Sequence, residues 1–196
     1  MSTTQPIKDR ETLARLKSYY VVEKPNLRNH LLIILGLNTA LRISDILQLK
    51  WENLYEESTG CIRDHLELTE HKTGKRKLVA LNSTVRVALM QYRNFILNKR
   101  SYTPGGYVFS SQKGENLALC RFQAYRIIKE AAEAVGLPEH VSCHSLRKTF
   151  GYHAWRQGVP PALLMDIYNH SSYRITKRYL CIGQDEQDEV YRNISL

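Results

Sequence analysis

At 196 residues, 43% of them hydrophobic and 24% charged, the chain has room for one well-buried domain and too little for two comfortable ones. Its longest apolar run, Leu31-Leu32-Ile33-Ile34-Leu35-Gly36-Leu37, is far short of a membrane span. Met1-Ser2-Thr3-Thr4-Gln5-Pro6 lacks the apolar core of a secretory signal, so a cytoplasmic location and no membrane partner are expected. The formal net charge is +9; from Gly183 onward Asp185, Glu186, Asp188 and Glu189 outnumber Arg192, which leaves +12 on the remainder. A body this basic favours a polyanionic partner, because neutralising phosphates releases counterions. Charge alone fits a ribosomal or membrane-surface protein equally well.

In chain order, Asp9 is positioned to cap a helix from Arg10 to about Tyr20, with Leu13, Leu16 and Tyr20 on one face. Asn26 caps a second helix, Leu27 to Asn38, apolar enough to be central. From Leu41 to Leu49, Ile43, Ile46, Leu47 and Leu49 point inward around a polar Ser44-Asp45. Asp45 stands three residues beyond Arg42, within reach to orient it. A strand carrying Ile62, His65, Leu66 and Leu68 ends at Thr69, and a second follows over Lys77-Leu78-Val79-Ala80-Leu81. Between them His71-Lys72-Thr73-Gly74-Lys75-Arg76 reads as a polar hairpin turn with Gly74 at the tight position.

Ser83 caps a helix with Val85, Ala88, Leu89, Tyr92, Phe95 and Ile96 at helical spacing, and Tyr107-Val108-Phe109 is a short third strand candidate. A helix from Ala118 to Val135 is closed by Gly136 and Pro138. His144 opens a helix to Gln157, with Gly158 as its stop; His153 and Trp155 on it are assigned to packing. Pro160-Pro161 starts a short helix ending near Tyr168, Ser172 caps the helix bearing Tyr179, and Gln184 to Ile194 forms a last, acidic helix. The sum is a mainly α domain with a small antiparallel β-sheet.

The four cysteines, Cys61, Cys120, Cys143 and Cys181, are scattered with no C-x-x-C, and four reduced, mostly buried thiols are expected in a cytosolic chain. His140-Val141-Ser142-Cys143-His144 has residue types that bind metals. No second cluster has zinc-like spacing, so no structural metal is expected.

The segment that carries chemistry is His144-Ser145-Leu146-Arg147, followed by Asn169-His170 and Tyr179. It sets a cation, two imidazoles and a phenol within thirty-six residues. Arg42 stands far upstream in Thr39-Ala40-Leu41-Arg42-Ile43-Ser44-Asp45. Two arginines can grip a phosphate, because the planar guanidinium fork matches paired oxygens. A phenol can attack phosphorus to give a covalent intermediate, and histidines can hold the displaced protons. Such parts suit phosphoryl transfer on a nucleic-acid backbone.

In order and spacing these residues resemble the tyrosine recombinases, or phage-integrase-type site-specific recombinases. The pattern is Arg, a hairpin Lys, His-x-x-Arg, His, then Tyr nine residues on. The resemblance runs from about Asn26 to Tyr191 and implies the DNA breaking-and-rejoining catalytic-domain fold. It also implies a site of Arg42, Lys72, His144, Arg147, His170 and Tyr179. Arg42 and Arg147 would neutralise the two non-bridging oxygens of a pentacoordinate transition state. Lys72, or alternatively Lys75 just after the turn glycine, would protonate the leaving 5′-oxygen. His144 and His170 would assist, and Tyr179 would be the nucleophile. Twelve tyrosines are present, with Tyr168, Tyr173 and Tyr191 nearby, but only Tyr179 has the family's spacing after His170 and lies on a basic helix (Lys177-Arg178-Tyr179). One departure is Asn169, where many relatives have Gly; Asn is the non-glycine residue that best tolerates left-handed backbone.

What the resemblance implies is a double-stranded DNA substrate, a 3′-phosphotyrosyl intermediate, no need for metal, ATP or other cofactor, and a homotetramer on DNA. A nucleoid-associated protein is then expected. The segment 184–196 would be a C-terminal helix docking on a neighbouring protomer: its charge of −3 suits a basic body, and Val190, Tyr191 and Ile194 offer an apolar stripe. Only about twenty-five residues precede the matching part, against the N-terminal helical domain of most relatives. The chain therefore resembles a minimal recombinase of the fimbrial-inversion type or a shortened form of a longer one. Three other readings are a topoisomerase using the same residues, a catalytically silent DNA-binding regulator on this scaffold, and an RNA-binding basic domain. No RNP-like aromatic motif supports the last.

Overall fold

The computed structural model describes residues 4–99, 101–111, 117–137 and 140–195. Asp9 caps α1 (Arg10–Val22), its carboxylate accepting from Thr12 N at 2.6 Å. Asn26 caps α2 (Leu27–Asn38) by accepting from Asn29 N at 3.1 Å. Every residue from Leu31 to Leu37 is buried, as a helix apolar on all sides must be. Each fully buried Leu or Ile in it contributes roughly 1.5–3 kcal/mol. Around α2 pack α1, α3 (Ile43–Leu47), α4 (Ser83–Asn98), α5 (Arg121–Ala134) and α6 (Cys143–Arg156). Against α6 the approach is tight: a Cβ added at Gly36 would lie 2.7 Å from Leu146 Cδ1. This glycine thus lets the helix carrying Arg147 lie against the core.

Two ribbons flank the bundle where one small sheet was expected. β1 (Tyr55–Glu56) pairs with β2 (Cys61–Ile62), and β3 (His65–Thr69) with β4 (Arg76–Ala80), both antiparallel. In the second ribbon Leu66 faces the core fully buried while His65 and Glu67 face out. The intervening turn contains Gly74 at φ 66°, as its tight position requires. Tyr107-Val108-Phe109 does not form a strand of either sheet: Tyr107 makes an isolated bridge to Lys50, and Leu119 N donates to Phe109 O at 2.7 Å.

Some boundaries differ from the expectation for identifiable reasons. Asn82, not Ser83, caps α4, accepting from Val85 N at 3.0 Å, and Phe95 on that helix is 41% exposed beneath the Lys99 ammonium. Residues 118–120 are extended because Ala118 bridges Ser110, so α5 starts at Arg121. Gly136, at φ 74°, follows its end; Pro138 lies outside the described residues.

The remaining elements form a second, smaller apolar cluster. It contains Ala40, Tyr152, Leu164, Tyr168, Leu180 and Ile182, contributed largely by α6, α7 (Pro161–Tyr168) and the residues that follow α8 (Tyr173–Tyr179). Gly151 admits α7: a Cβ there would sit 2.5 Å from Tyr168 Oη. The last helix, α9 (Gln184–Asn193), folds back on its own chain through ion pairs Lys8–Glu186 and Arg156–Glu189. Val190, Tyr191 and Ile194 remain 53%, 80% and 61% exposed. None of the helices among the described residues is long and apolar enough to cross a membrane.

Candidate active site

Ser142 caps α6, accepting from His144 N, which leaves His144 in the first turn and Arg147 one turn further along the same helix. Arg147 is 4% exposed. Burying a guanidinium without partners is expensive, and two contacts to the guanidinium and one to the main chain hold the residue here. Its Nε donates to Ala40 O at 2.6 Å, its Cζ lies 4.7 Å from the Tyr168 ring centroid, and the Tyr168 hydroxyl donates to Arg147 O at 2.6 Å. Nη2 remains buried with no hydrogen-bond partner. Ala40 is left-handed, φ 53°, a strained choice for a residue with a Cβ.

Arg42 precedes α3, 14% exposed. The expected orienting acid, Asp45, does not pair with it. Asp45 Oδ1 instead accepts from His71 N at 3.0 Å, because α3 turns its carboxylate toward the hairpin. The acid beside Arg42 is Glu70, whose Oε1 lies 2.8 Å from Arg42 Nη1. Glu70 is 3% exposed. Burial alone would raise its carboxyl, but the bonds from Arg42 and Thr73 outweigh that and hold it below the ordinary range.

Lys72 is exposed and lines a cleft of about 780 Å³ with Arg42, Ser44, Gln48, Arg121 and His144. Lys75 turns the other way, donating to Asn169 Oδ1 at 2.7 Å. Lys77, not anticipated from sequence, is 17% exposed and donates to Ile167 O at 2.7 Å, 3.9 Å from Glu70 Oε1. Burial lowers its pKa, and the nearby Arg147 and Arg42 lower it further against the pull of Glu70.

Asn169 ends α7 at φ 55°, ψ 48°, the left-handed turn its position called for. It delivers His170, whose Nδ1 is 3.0 Å from Thr176 Oγ1 and whose ring is 5.2 Å from that of Tyr179. Burial, then the charges of Arg147 and Arg42, keep His170 below its ordinary pKa. His144 is lowered by burial and by Arg147, with smaller contributions from Arg121, Lys148 and Arg42.

Tyr179 closes α8, which Ser172 caps. Its ring lies among Tyr168 at 5.3 Å, Arg147 Cζ at 5.6 Å and Lys148 Nζ at 5.2 Å. The hydroxyl is buried with no aligned hydrogen-bond partner. Burial pushes the phenol above its ordinary pKa, while Arg147 and then Arg42 pull it back part of the way. Lys148, 3% exposed, donates to Thr4 O at 2.6 Å and so ties the N-terminal segment behind the phenol. His153 Nε2 meets Ile7 O at 3.0 Å.

Arg42, Arg147, His170 and Tyr179 therefore converge, with His144 and Lys72 at the cleft beside them. Glu70 and Lys77 were missed, yet strand parity carries the signal. Glu70 shares its face with Leu66 and Leu68, and Lys77 with Val79, so two charges sit on inward positions.

The phage integrase family model matches residues 9–184, and the chain belongs to that family. It is 36% identical over 192 residues to a probable integrase/recombinase, YoeC, of Bacillus subtilis, covering 98% of this chain and 97% of that protein. It is 28% identical to the tyrosine recombinase XerD of Corynebacterium glutamicum over 85% of this chain, but spans only 52% of that relative. Among solved structures, XerA recombinase superposes with a TM-score of 0.75 at 18% identity, over 98% of this chain and 67% of that one. XerH recombinase bound to a palindromic difH substrate gives 0.74 at 21%, over 97% and 52%. These likenesses identify the fold as that of tyrosine recombinase catalytic domains.

Proposed function

We propose that this protein is a site-specific DNA recombinase acting through a phosphotyrosyl intermediate. The observation that carries the reading is the convergence of Arg147 and Tyr179, the guanidinium Cζ 5.6 Å from the phenol ring, with the buried Nη2 and Oη both lacking a well-aligned bond to the rest of the protein. Buried polar groups in native proteins are nearly always satisfied, and a phosphate oxygen and phosphorus are the partners such a donor and such a nucleophile require. The match to YoeC along nearly its whole length supports the same class.

In this reading Arg42 and Arg147 hold the two non-bridging oxygens of the scissile phosphate. Tyr179 Oη bonds to phosphorus as the bond to the 5′-oxygen breaks, leaving a 3′-phosphotyrosyl link. Lys72 gives its proton to the departing 5′-oxygen; Lys75, engaged with Asn169, is the poorer candidate. His144 and His170, neutral at pH 7, accept or share the phenol's proton and bond a phosphate oxygen. Attack by the 5′-hydroxyl of a partner strand reverses these steps, so the phosphodiester energy is conserved without ATP, and the cations supply the charge a metal supplies in other nucleases.

Strand exchange joins two duplexes, which calls for a homotetramer on chromosomal DNA, and the 184–196 segment is the proposed link between protomers. To test the class, a duplex selected by this protein from random-sequence DNA, nicked beside the mapped cleavage position, is incubated in excess EDTA. A protein–DNA adduct that survives denaturant is expected. An adduct that forms only when Mg²⁺ or Zn²⁺ is restored would overturn the metal-free mechanism.

A further inference from the structure

We propose that Glu70 is a positioning residue that ties the phosphate clamp to the hairpin carrying Lys72. Its buried carboxylate spans the two: Oε1 lies 2.8 Å from Arg42 Nη1, and Oε2 accepts from the Thr73 hydroxyl at 2.7 Å. Thr73 is the residue directly after Lys72. The main chain of Glu70 adds two bonds across the same turn, its N donating to Lys75 O at 2.9 Å and its O accepting from Gly74 N at 2.8 Å. A second latch runs parallel, since Asp45 of α3 accepts from His71 N at 3.0 Å. The turn is thereby registered to the helix that follows Arg42 at two successive residues.

The physical reason for such a device is the geometry of the reaction. A general acid on a solvated hairpin tip has many conformations, and proton transfer needs it within hydrogen-bond reach of one oxygen. Arg42 fixes where the phosphate sits. A rigid anionic bridge from Arg42 to the residue beside Lys72 therefore fixes the acid relative to the oxygen it must protonate. The bridge also neutralises part of the charge that Arg42 and Lys77 would otherwise face unpaired in a buried site. The inference rests on the reading of Lys72 as general acid.

The chemistry offers a readout that a merely structural role would not move. When the bond from phosphorus to the 5′-oxygen breaks, that oxygen needs a proton; a sulfur in its place leaves as a stable thiolate and needs none. The full-length protein is therefore assayed on its selected duplex with either an ordinary phosphodiester or a 5′-bridging phosphorothiolate at the cleavage position. Lys72→Ala should lose cleavage of the phosphodiester and regain it with sulfur. Thr73→Val, which replaces the hydroxyl by a methyl group, should fall on the order of 10–100-fold on the phosphodiester and return near the parent rate with sulfur. Glu70→Gln should fall on both substrates, because Arg42 also loses its anchor, with the sulfur substrate recovering only part of the loss. Failure of sulfur to rescue Lys72→Ala would overturn the acid role itself. Rescue of Lys72→Ala beside an unrescued or fully active Thr73→Val, or a fully active Glu70→Gln, would overturn the bridge alone.

Discussion

Arg147 Nε donates to the main-chain carbonyl of Ala40 at 2.6 Å, which joins one arginine of the site to the segment bearing the other, Arg42, two residues on. Ala40 itself is left-handed, φ 53°. That conformation costs roughly 1–2 kcal/mol for a residue with a Cβ. Its methyl is fully buried in the second apolar cluster, worth about 0.8 kcal/mol, and glycine adds unfolded-state entropy of about 0.4–1 kcal/mol. The terms nearly cancel, so Ala40→Gly should leave stability unchanged to within about 1 kcal/mol. Ala88→Gly, buried inside α4, should cost about 1.5–2 kcal/mol from propensity and lost burial together. Denaturant unfolding of both variants checks the difference; equal losses would mean that Ala40 is not strained.

The guanidinium fork is the second testable feature. Arg147→Lys keeps the charge but loses Nε on Ala40 and the paired geometry at phosphate. Cleavage should fall on the order of 10²-fold or more, the scale of losing a transition-state donor, with DNA binding retained. Arg42→Lys should behave alike. A fully active Arg147→Lys protein would contradict the bidentate role.

The histidines set a pH dependence. His30, His144 and His170 all lie below their ordinary pKa, with burial the largest cause in each. The unfolded chain therefore takes up protons on these rings first, and stability falls as pH drops below about 6.5. Melting temperature measured from pH 7.5 to 5 should decline over that window, and His170→Gln should flatten part of the slope. A melting temperature that holds or rises toward pH 5 would show that the rings are not held neutral.

Much of this was legible in the sequence because the informative signals are local. Caps at Asp9, Asn26 and Ser172, the all-apolar run of α2, and the left-handed turn at Asn169 each depend on neighbours in the chain. Family spacing pointed to residues as far apart as Arg42 and Tyr179, which the fold brings together. What stayed hidden depends on tertiary partners. Asp45 was the obvious acid for Arg42 by proximity in sequence, yet the hairpin's His71 N claims it, and Glu70 arrives from another element. Lys75 and Lys72 are close in the chain, and the fold separates them: Lys72 lines the cleft with Arg42 and His144, while Lys75 donates to Asn169. Ala40 gives no sequence sign that it is left-handed.

The acidic tail supplies a fourth prediction. Alone, the chain holds α9 through Lys8–Glu186 and Arg156–Glu189 while Val190, Tyr191 and Ile194 face solvent. If that apolar stripe seats on a neighbouring protomer, Tyr191→Asp or Ile194→Asp should leave folding and single-site DNA binding intact. Cooperative assembly on paired sites should weaken, as should recombination. Deleting the residues after Gly183 should do the same more strongly. Native gels with one- and two-site duplexes distinguish the outcomes, and charge variants that assemble like the parent would rule the stripe out as the contact.

The central claim is that Tyr179 becomes covalently joined to DNA. Its ring is enclosed by Tyr168, His170, Arg147 and Lys148, and Tyr179→Phe removes only the hydroxyl. The direct measurement is mass spectrometry of peptides from the denaturant-stable adduct formed on the nicked duplex, with Tyr179→Phe and Tyr173→Phe proteins run alongside. The account predicts a nucleotide-bearing peptide centred on Tyr179, an adduct undiminished in Tyr173→Phe, and none in Tyr179→Phe despite near-normal DNA binding. An adduct that persists in Tyr179→Phe, or maps to another residue, would contradict it.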